Sequence, residues 1–214
     1  MNKHAFEKVA KKLLPHLPSY QYNKSQHVLY QTPVSNVLRG FLFDSSGFSA
    51  EAFYPHFFVQ PLYIPEDYYV LTFGKRLLGT WDYVAREEEL LANSLLRSTL
   101  KEGGFALLED LATPRKFAKN ANKYISNSKD PRLQRAVAYS FAVDGLYQKA
   151  MKWLDRCCAT TEELLLRDPH IEWPGDVQRE VEQLKAAIMR SPEDAQELLR
   201  GWTEYTRERL GLPE

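Results

Sequence analysis

Histidine and cysteine are the residues most able to carry chemistry, and this chain has five of one and two of the other. His4, His16, His27, His56 and His170 stand at no metal-ligand spacing with one another, with a cysteine pair or with a carboxylate. His56 alone lies in an aromatic stretch. It reads as a structural or surface histidine, with a binding role as the alternative. Cys157 and Cys158 are adjacent and follow Trp153 and Leu154 at helical spacing. Adjacent cysteines bridge only under strain, and a free thiol on an apolar helix face behaves as a small hydrophobe. No Gly-x-Ser-x-Gly elbow and no cysteine in a signature context occurs. Gly103-Gly104 lacks the spacing and the lysine of a phosphate loop and reads as a helix break. Glu87-Glu88-Glu89 reads as a solvated helix face. No catalytic residue, metal or cofactor is assigned.

Two polar groupings remain. Arg39, Tyr54, His56, Gln60 and Arg76 gather on a sheet if the strands pair as drawn below, giving a candidate small-ligand site. The other grouping is basic. Arg115, Lys116, Lys119, Lys123, Lys129, Arg132 and Arg135 are opposed locally only by Asp130. Lys116, Lys119 and Lys123 follow i, i+3, i+7 and share one helix face. That face is either a solvated surface or, with Arg132, a dock for an acidic partner, protein or RNA.

The element that must position the first grouping is the run from Glu51 to Ile64, the most aromatic and least charged in the chain. Aromatic and β-branched residues from Phe53 to Ile64 suit a strand. Both of its faces are apolar enough to need cover. Pro55 and Pro61 share parity and cannot donate to a ladder, which predicts an edge strand with those positions outward. Pro65-Glu66-Asp67 reads as a turn and Tyr68–Phe73 as the antiparallel return strand. Upstream, Gln21–Gln31 reads as one or two strands about a turn at Asn23-Lys24-Ser25, and Asn36–Phe43 as another. The first half thus holds about four strands in meander order behind one helix, His4–Leu14.

The second grouping depends on helices. Trp81–Leu100 is expected as one helix with Val84, Leu90, Leu91, Leu95 and Leu96 as its stripe. Phe105–Leu111 follows as a short helix. Thr113 caps the next, with Pro114 at its first position, running to about Ile125 and burying Phe117, Ala121, Tyr124 and Ile125. Asn127–Asp130 is a loop. Thr160 or Thr161 caps a helix through Leu166, and Asp168–Pro174 is a loop. A helix from Asp176 or Val177 runs to about Met189. Ser191-Pro192-Glu193-Asp194 caps the last, which buries Ala195, Leu198, Leu199, Trp202 and Tyr205.

Within Arg132–Arg156, the residues Ala136, Tyr139, Gly145, Tyr147, Ala150 and Leu154 resemble a single tetratricopeptide-like helical hairpin. No second copy at a period of about 34 residues accompanies it, so a repeat array is not supported. The block Phe57-Val59-Gln60-Pro61-Leu62-Tyr63-Ile64-Pro65 followed by Phe73-Gly74-Lys75-Arg76-Leu77 resembles one in uncharacterised bacterial proteins of similar length. That resemblance implies a bacterial source and a soluble protein, and no activity.

Strands first and helices after define an α+β fold: a small antiparallel sheet with an N-terminal helix, then an all-helical half. We expect one cooperative unit with lobes 1–79 and 80–214 and the division near Gly79. At 214 residues the chain can bury a substantial core. A formal net charge of zero gives no global electrostatic case for nucleic acid or membrane. No apolar run reaches the roughly 20 residues needed to span a bilayer, and the charged first residues form no signal peptide. Sparse cysteine fits the cytoplasm. The expected function is a non-enzymatic protein-interaction module, of accessory, adaptor or immunity type, with an unknown protein partner. An enzyme or small-ligand binder around His56, and RNA binding through 115–125, are the alternatives.

Overall fold

The computed structural model describes residues 3–47, 49, 51–79, 81–125 and 129–213. The fold is α+β. An N-terminal helix and a small antiparallel sheet precede a helical C-terminal half. The chain forms two compact units. One comprises 1–60 and 70–112, the other 61–69 and 113–214.

In the first unit, α1 (Lys3–Leu13) buries the expected stripe of Ala5, Phe6, Val9, Ala10 and Leu13. A 3-10 turn, Leu14–His16, follows it. The strands are β1 (Tyr20–Asn23), β2 (Val28–Gln31), β3 (Val37–Ser45), β4 (Ala52–Pro61), β5 (Gly74–Arg76) and β6 (Trp81–Asp82). β1 to β5 form a meander in sequence order, and β6 also pairs with β4. Aromatic packing fixes α1 on one face of the sheet, with Phe6 5.7 Å from Phe43 and 5.9 Å from Phe53 between ring centroids. Helices α2 (Glu88–Lys101) and α3 (Gly104–Asp110) complete the unit. Gly103 sits at φ +73°, and a Cβ on Gly104 would stand 2.7 Å from Thr99 and 3.0 Å from the Phe57 ring. The glycine pair therefore breaks the helix and also permits its close packing.

β4 is not an edge strand, because β3 lies on one side and β5 and β6 on the other. Pro55 and Pro61 are buried, not outward. They are tolerated for a different reason. The Pro55 carbonyl accepts from Leu77 and the Val59 N–H donates to Phe73, so odd-numbered β4 backbone faces the β5 and β6 side. Pairing on that side is short and interrupted, and the N–H each proline lacks falls there. Tyr68–Phe73 is not a strand, and the return strand begins at Gly74, where the sequence suggested an end. Trp81–Glu87 is not helical: Trp81 pairs with Phe53, and the helix starts at Glu88. Its buried positions are Ala92, Leu95 and Thr99, while Val84 and Leu90 are exposed.

In the second unit, α4 (Pro114–Tyr124), α5 (Pro131–Val143), α6 (Tyr147–Arg167), α7 (Trp173–Arg190) and α8 (Pro192–Arg209) pack in sequence order. Thr113 and Ser191 cap as expected, each accepting from the backbone N–H three residues on. Gly145, at φ +74°, lies between α5 and α6, the expected hairpin. Thr160 and Thr161 cap nothing. They lie inside α6, where their hydroxyls donate to carbonyls one turn back. α7 already begins at Trp173, and Tyr205 on α8 is exposed rather than buried. Asn127 and Ser128, part of the expected loop, lie outside the described residues.

Pro61–Tyr69 belongs to this second unit, and polar contacts hold it there. Ser140 donates to the Ala136 carbonyl at 2.6 Å, so the Tyr63 hydroxyl donates to Ser140 Oγ, also at 2.6 Å. Thr206 Oγ1 donates to the Ile64 carbonyl at 2.9 Å and accepts from the Glu66 N–H at 3.2 Å. Arg135, nearly out of contact with solvent, donates from Nη2 to Glu66 at 3.0 Å and from Nη1 to Glu180 at 2.6 Å. Burial raises the carboxyl pKa of both Glu66 and Glu180, against the pull of Arg135.

Two outcomes follow from this triad. Arg135→Met strands two half-buried carboxylates and is expected to cost about 3–5 kcal/mol in urea unfolding; a cost below about 1 kcal/mol would sink this account. Glu66 has a folded pKa above its ordinary 4.5, so the folded state binds its proton more tightly than the unfolded chain does. Wild type should therefore gain stability relative to Glu66→Gln as pH falls through the window above 4.5. Paired urea melts across that window check the sign.

Candidate functional site

The registers decide which sheet residues meet. His56 on β4 pairs with Arg76 on β5. Two residues along β4, on the same face, is Tyr54, and the Arg76 guanidinium lies 3.5 Å from its ring centroid. The Tyr54 hydroxyl is 3.4 Å from Ser46 Oγ. Tyr54, His56 and Arg76 thus form one cluster. His56 is half-buried, and desolvation lowers its pKa, with Asp44 pulling it up and Arg76 pushing it down. Its ring makes no hydrogen bond among the described residues.

Gln60 and Arg39 do not join this cluster. Gln60 is buried, and its Oε1 accepts from the Val70 N–H at 3.1 Å, closing the base of the 61–69 excursion. Gln60 therefore serves the fold. Arg39 is on β3. Tyr20 pairs with Gln31, and the β2–β3 register extended by one residue sets Gln31 beside Arg39. These three form a row across β1, β2 and β3, at the mouth of an open groove of about 270 Å³. The segment His16–Ser19 and the α3 residues Phe105, Leu108 and Glu109 line the rest. Arg39 Nη1 donates to the Leu108 carbonyl at 3.1 Å and to Glu109 Oε2 at 3.2 Å. Sequence reasoning chose Arg39 but missed the groove, because α3 lies some 70 positions away.

The basic grouping is trimmed by the fold. Arg135 is consumed in the buried triad, and Arg115 pairs with Asp144 at 3.0 Å. Asp130, the local acid, accepts from the Arg132 N–H at 2.9 Å as the cap of α5. On α4, Phe117, Ala118 and Ala121 are buried, Lys119 and Lys123 are exposed, and Lys116 is intermediate. At about 100° per residue the three lysines lie within about 60° of one another, opposite the buried side. The expected burial of Tyr124 and Ile125 is only partial. Arg132 lies over the Trp173 ring, 4.0 Å from its centroid.

Cys157 is buried, and burial pushes its thiol up to about 12, so it is held as the neutral thiol. Cys158 is partly exposed. Among the described residues, no group of three or more His, Cys, Asp or Glu could hold a metal ion, and no helix is long and apolar enough to cross a membrane. Compared with protein-family models, curated proteins and solved structures, the chain matches none.

The His56 cluster is open to a direct titration. Its pKa should lie below the ordinary 6.5, rise in Arg76→Gln and fall further in Asp44→Asn. Imidazole C–H resonances followed by NMR against pH read all three values, and an unmoved pKa in both variants would contradict the cluster.

Proposed function

We propose that this chain is a non-enzymatic protein-interaction module of the adaptor or immunity type, working in the cytoplasm of a bacterium, and that it docks an acidic protein surface. The supporting observation is the α4 face, where Lys116, Lys119 and Lys123 share the side opposite the core. Cationic side chains arranged in this way steer an acidic partner and accelerate encounter more than they slow release. Arg132, over Trp173, is a further cation whose planar guanidinium suits carboxylates. The near-zero net charge supports a local rather than global electrostatic role.

Changing Lys116, Lys119 and Lys123 together to Gln tests the reading. Poly-L-glutamate, as an acidic polypeptide probe, should bind the native protein at physiological salt and lose most of its association rate in the triple variant. Stability should move by less than about 0.5 kcal/mol. Equal binding by both proteins would refute the dock. Preferential retention of a single-stranded RNA probe, lost in the variant and with a steep salt dependence, would assign the face to nucleic acid instead.

A further inference from the structure

The groove at the end of β1–β3 has a feature that neither the fold nor the α4 face accounts for. Arg39 is held by one nitrogen only. Its Nη1 is spent on the Leu108 carbonyl and Glu109, while Nε and Nη2 have no partner among the described residues. The Arg39 side chain is 17% exposed, so the guanidinium is largely withdrawn from water and its plane is fixed by a backbone carbonyl. Beside it, the Tyr20 hydroxyl and the Gln31 amide line the same groove and make no hydrogen bond of their own to described residues. Leu17, Pro18 and Phe105 supply apolar wall.

We propose that this groove binds a carboxylate carried on an apolar body. The Nε–Nη2 edge of a guanidinium matches the two oxygens of a carboxylate in one plane. Glu109 already places one negative charge against Nη1. Arg39 and Glu109 together carry no net charge, so a carboxylate monoanion is accommodated at the guanidinium edge with less repulsion than a phosphate dianion. Leu17, Pro18 and Phe105 receive the ligand's apolar part, while Tyr20 and Gln31 donate to whatever oxygen remains. Burial raises the Tyr20 phenol above its ordinary 10, so it stays a neutral donor at physiological pH. Glu109 is 66% exposed and sits where an incoming carboxylate feels its repulsion, which makes it the residue that tunes affinity.

The ligand is either a free small carboxylic acid or the C-terminal carboxylate of a peptide, and one experiment separates them. Phenylacetate, phenylacetamide, acetyl-Ala-Ala-Phe with a free carboxylate and its C-terminal amide are titrated into the full chain. Binding is read from 15N-resolved amide shifts and the Arg39 Nε–H signal. Both acids should bind, saturably, with shifts centred on Tyr20, Gln31, Arg39 and Phe105, and neither amide should. A peptide acid bound about tenfold or more tighter than phenylacetate identifies a chain terminus; otherwise the free acid is the ligand class. Arg39→Gln should weaken binding about tenfold or more. Should that variant fail to fold, exposed Glu109 carries the test, since Glu109→Gln should tighten either acid about threefold or more by removing the facing charge. The proposal is overturned if neither acid shifts these signals up to about 20 mM. It is equally overturned if the amides bind as well as the acids, or if Glu109→Gln leaves affinity unchanged or lower.

Discussion

Arg135 cannot be dehydrated inside the helical unit unless negative charge goes in with it. Moving an ion out of water costs several kcal/mol after relaxation, and only close, well-directed counter-charges recover it. Glu180, on α7, supplies one. The other, Glu66, comes from outside the helical stretch of sequence, in the nine residues Pro61–Tyr69 that follow β4. The requirement of one guanidinium thus explains why a loop of the sheet half is built into the core of the helical half. Tyr63, Thr206 and Ser140 then satisfy the backbone and hydroxyl groups that this burial strands. Hydrophobic burial of Leu62, Tyr63 and Ile64 adds to the same docking.

The surfaces left over differ in kind. The α4 lysines share the helix face opposite the core, an arrangement suited to steering. The Arg39 groove is fixed by a backbone carbonyl, suited to recognising shape. Tyr54 and His56 lie between these extremes, half-buried on a sheet face, with the guanidinium of exposed Arg76 stacked on the Tyr54 ring. Such stacking orients Arg76 without using its hydrogen-bond donors.

What could be read from sequence was local. The Thr113 and Ser191 caps, the α1 stripe, the break at Gly103-Gly104 and the Gly145 hairpin each depend on residues within one or two turns, and each is found. The misreadings have a common physical source, which is that tertiary partners overrode the local pattern. Trp81 looks like the first residue of a helix until Phe53 takes it into the sheet. Tyr68–Phe73 alternates like a strand, but the segment before it is committed to the helical unit, so pairing resumes only from Phe73 and Gly74. Thr160 and Thr161 resemble caps, yet their hydroxyls find carbonyls inside a continuing helix. Arg135 read as one more surface cation, because nothing within twenty residues reveals that Glu66 and Glu180 will meet it. The Arg39 groove was invisible for the same reason.

The threading of Pro61–Tyr69 also imposes an order on synthesis. A ribosome delivers this segment some 44 residues before Thr113, the first residue of the stretch it will pack into. The sheet unit has all of its own chain once Ala112 has emerged, whereas Leu62, Tyr63 and Ile64 must wait, apolar and unsheltered, until the residues from Thr113 onward arrive. The nascent protein therefore passes through a stage in which one half is complete and displays a sticky tether for the other. No single cut in the gene separates the two units intact, so recombination cannot exchange them as modules, and the halves are bound to evolve together.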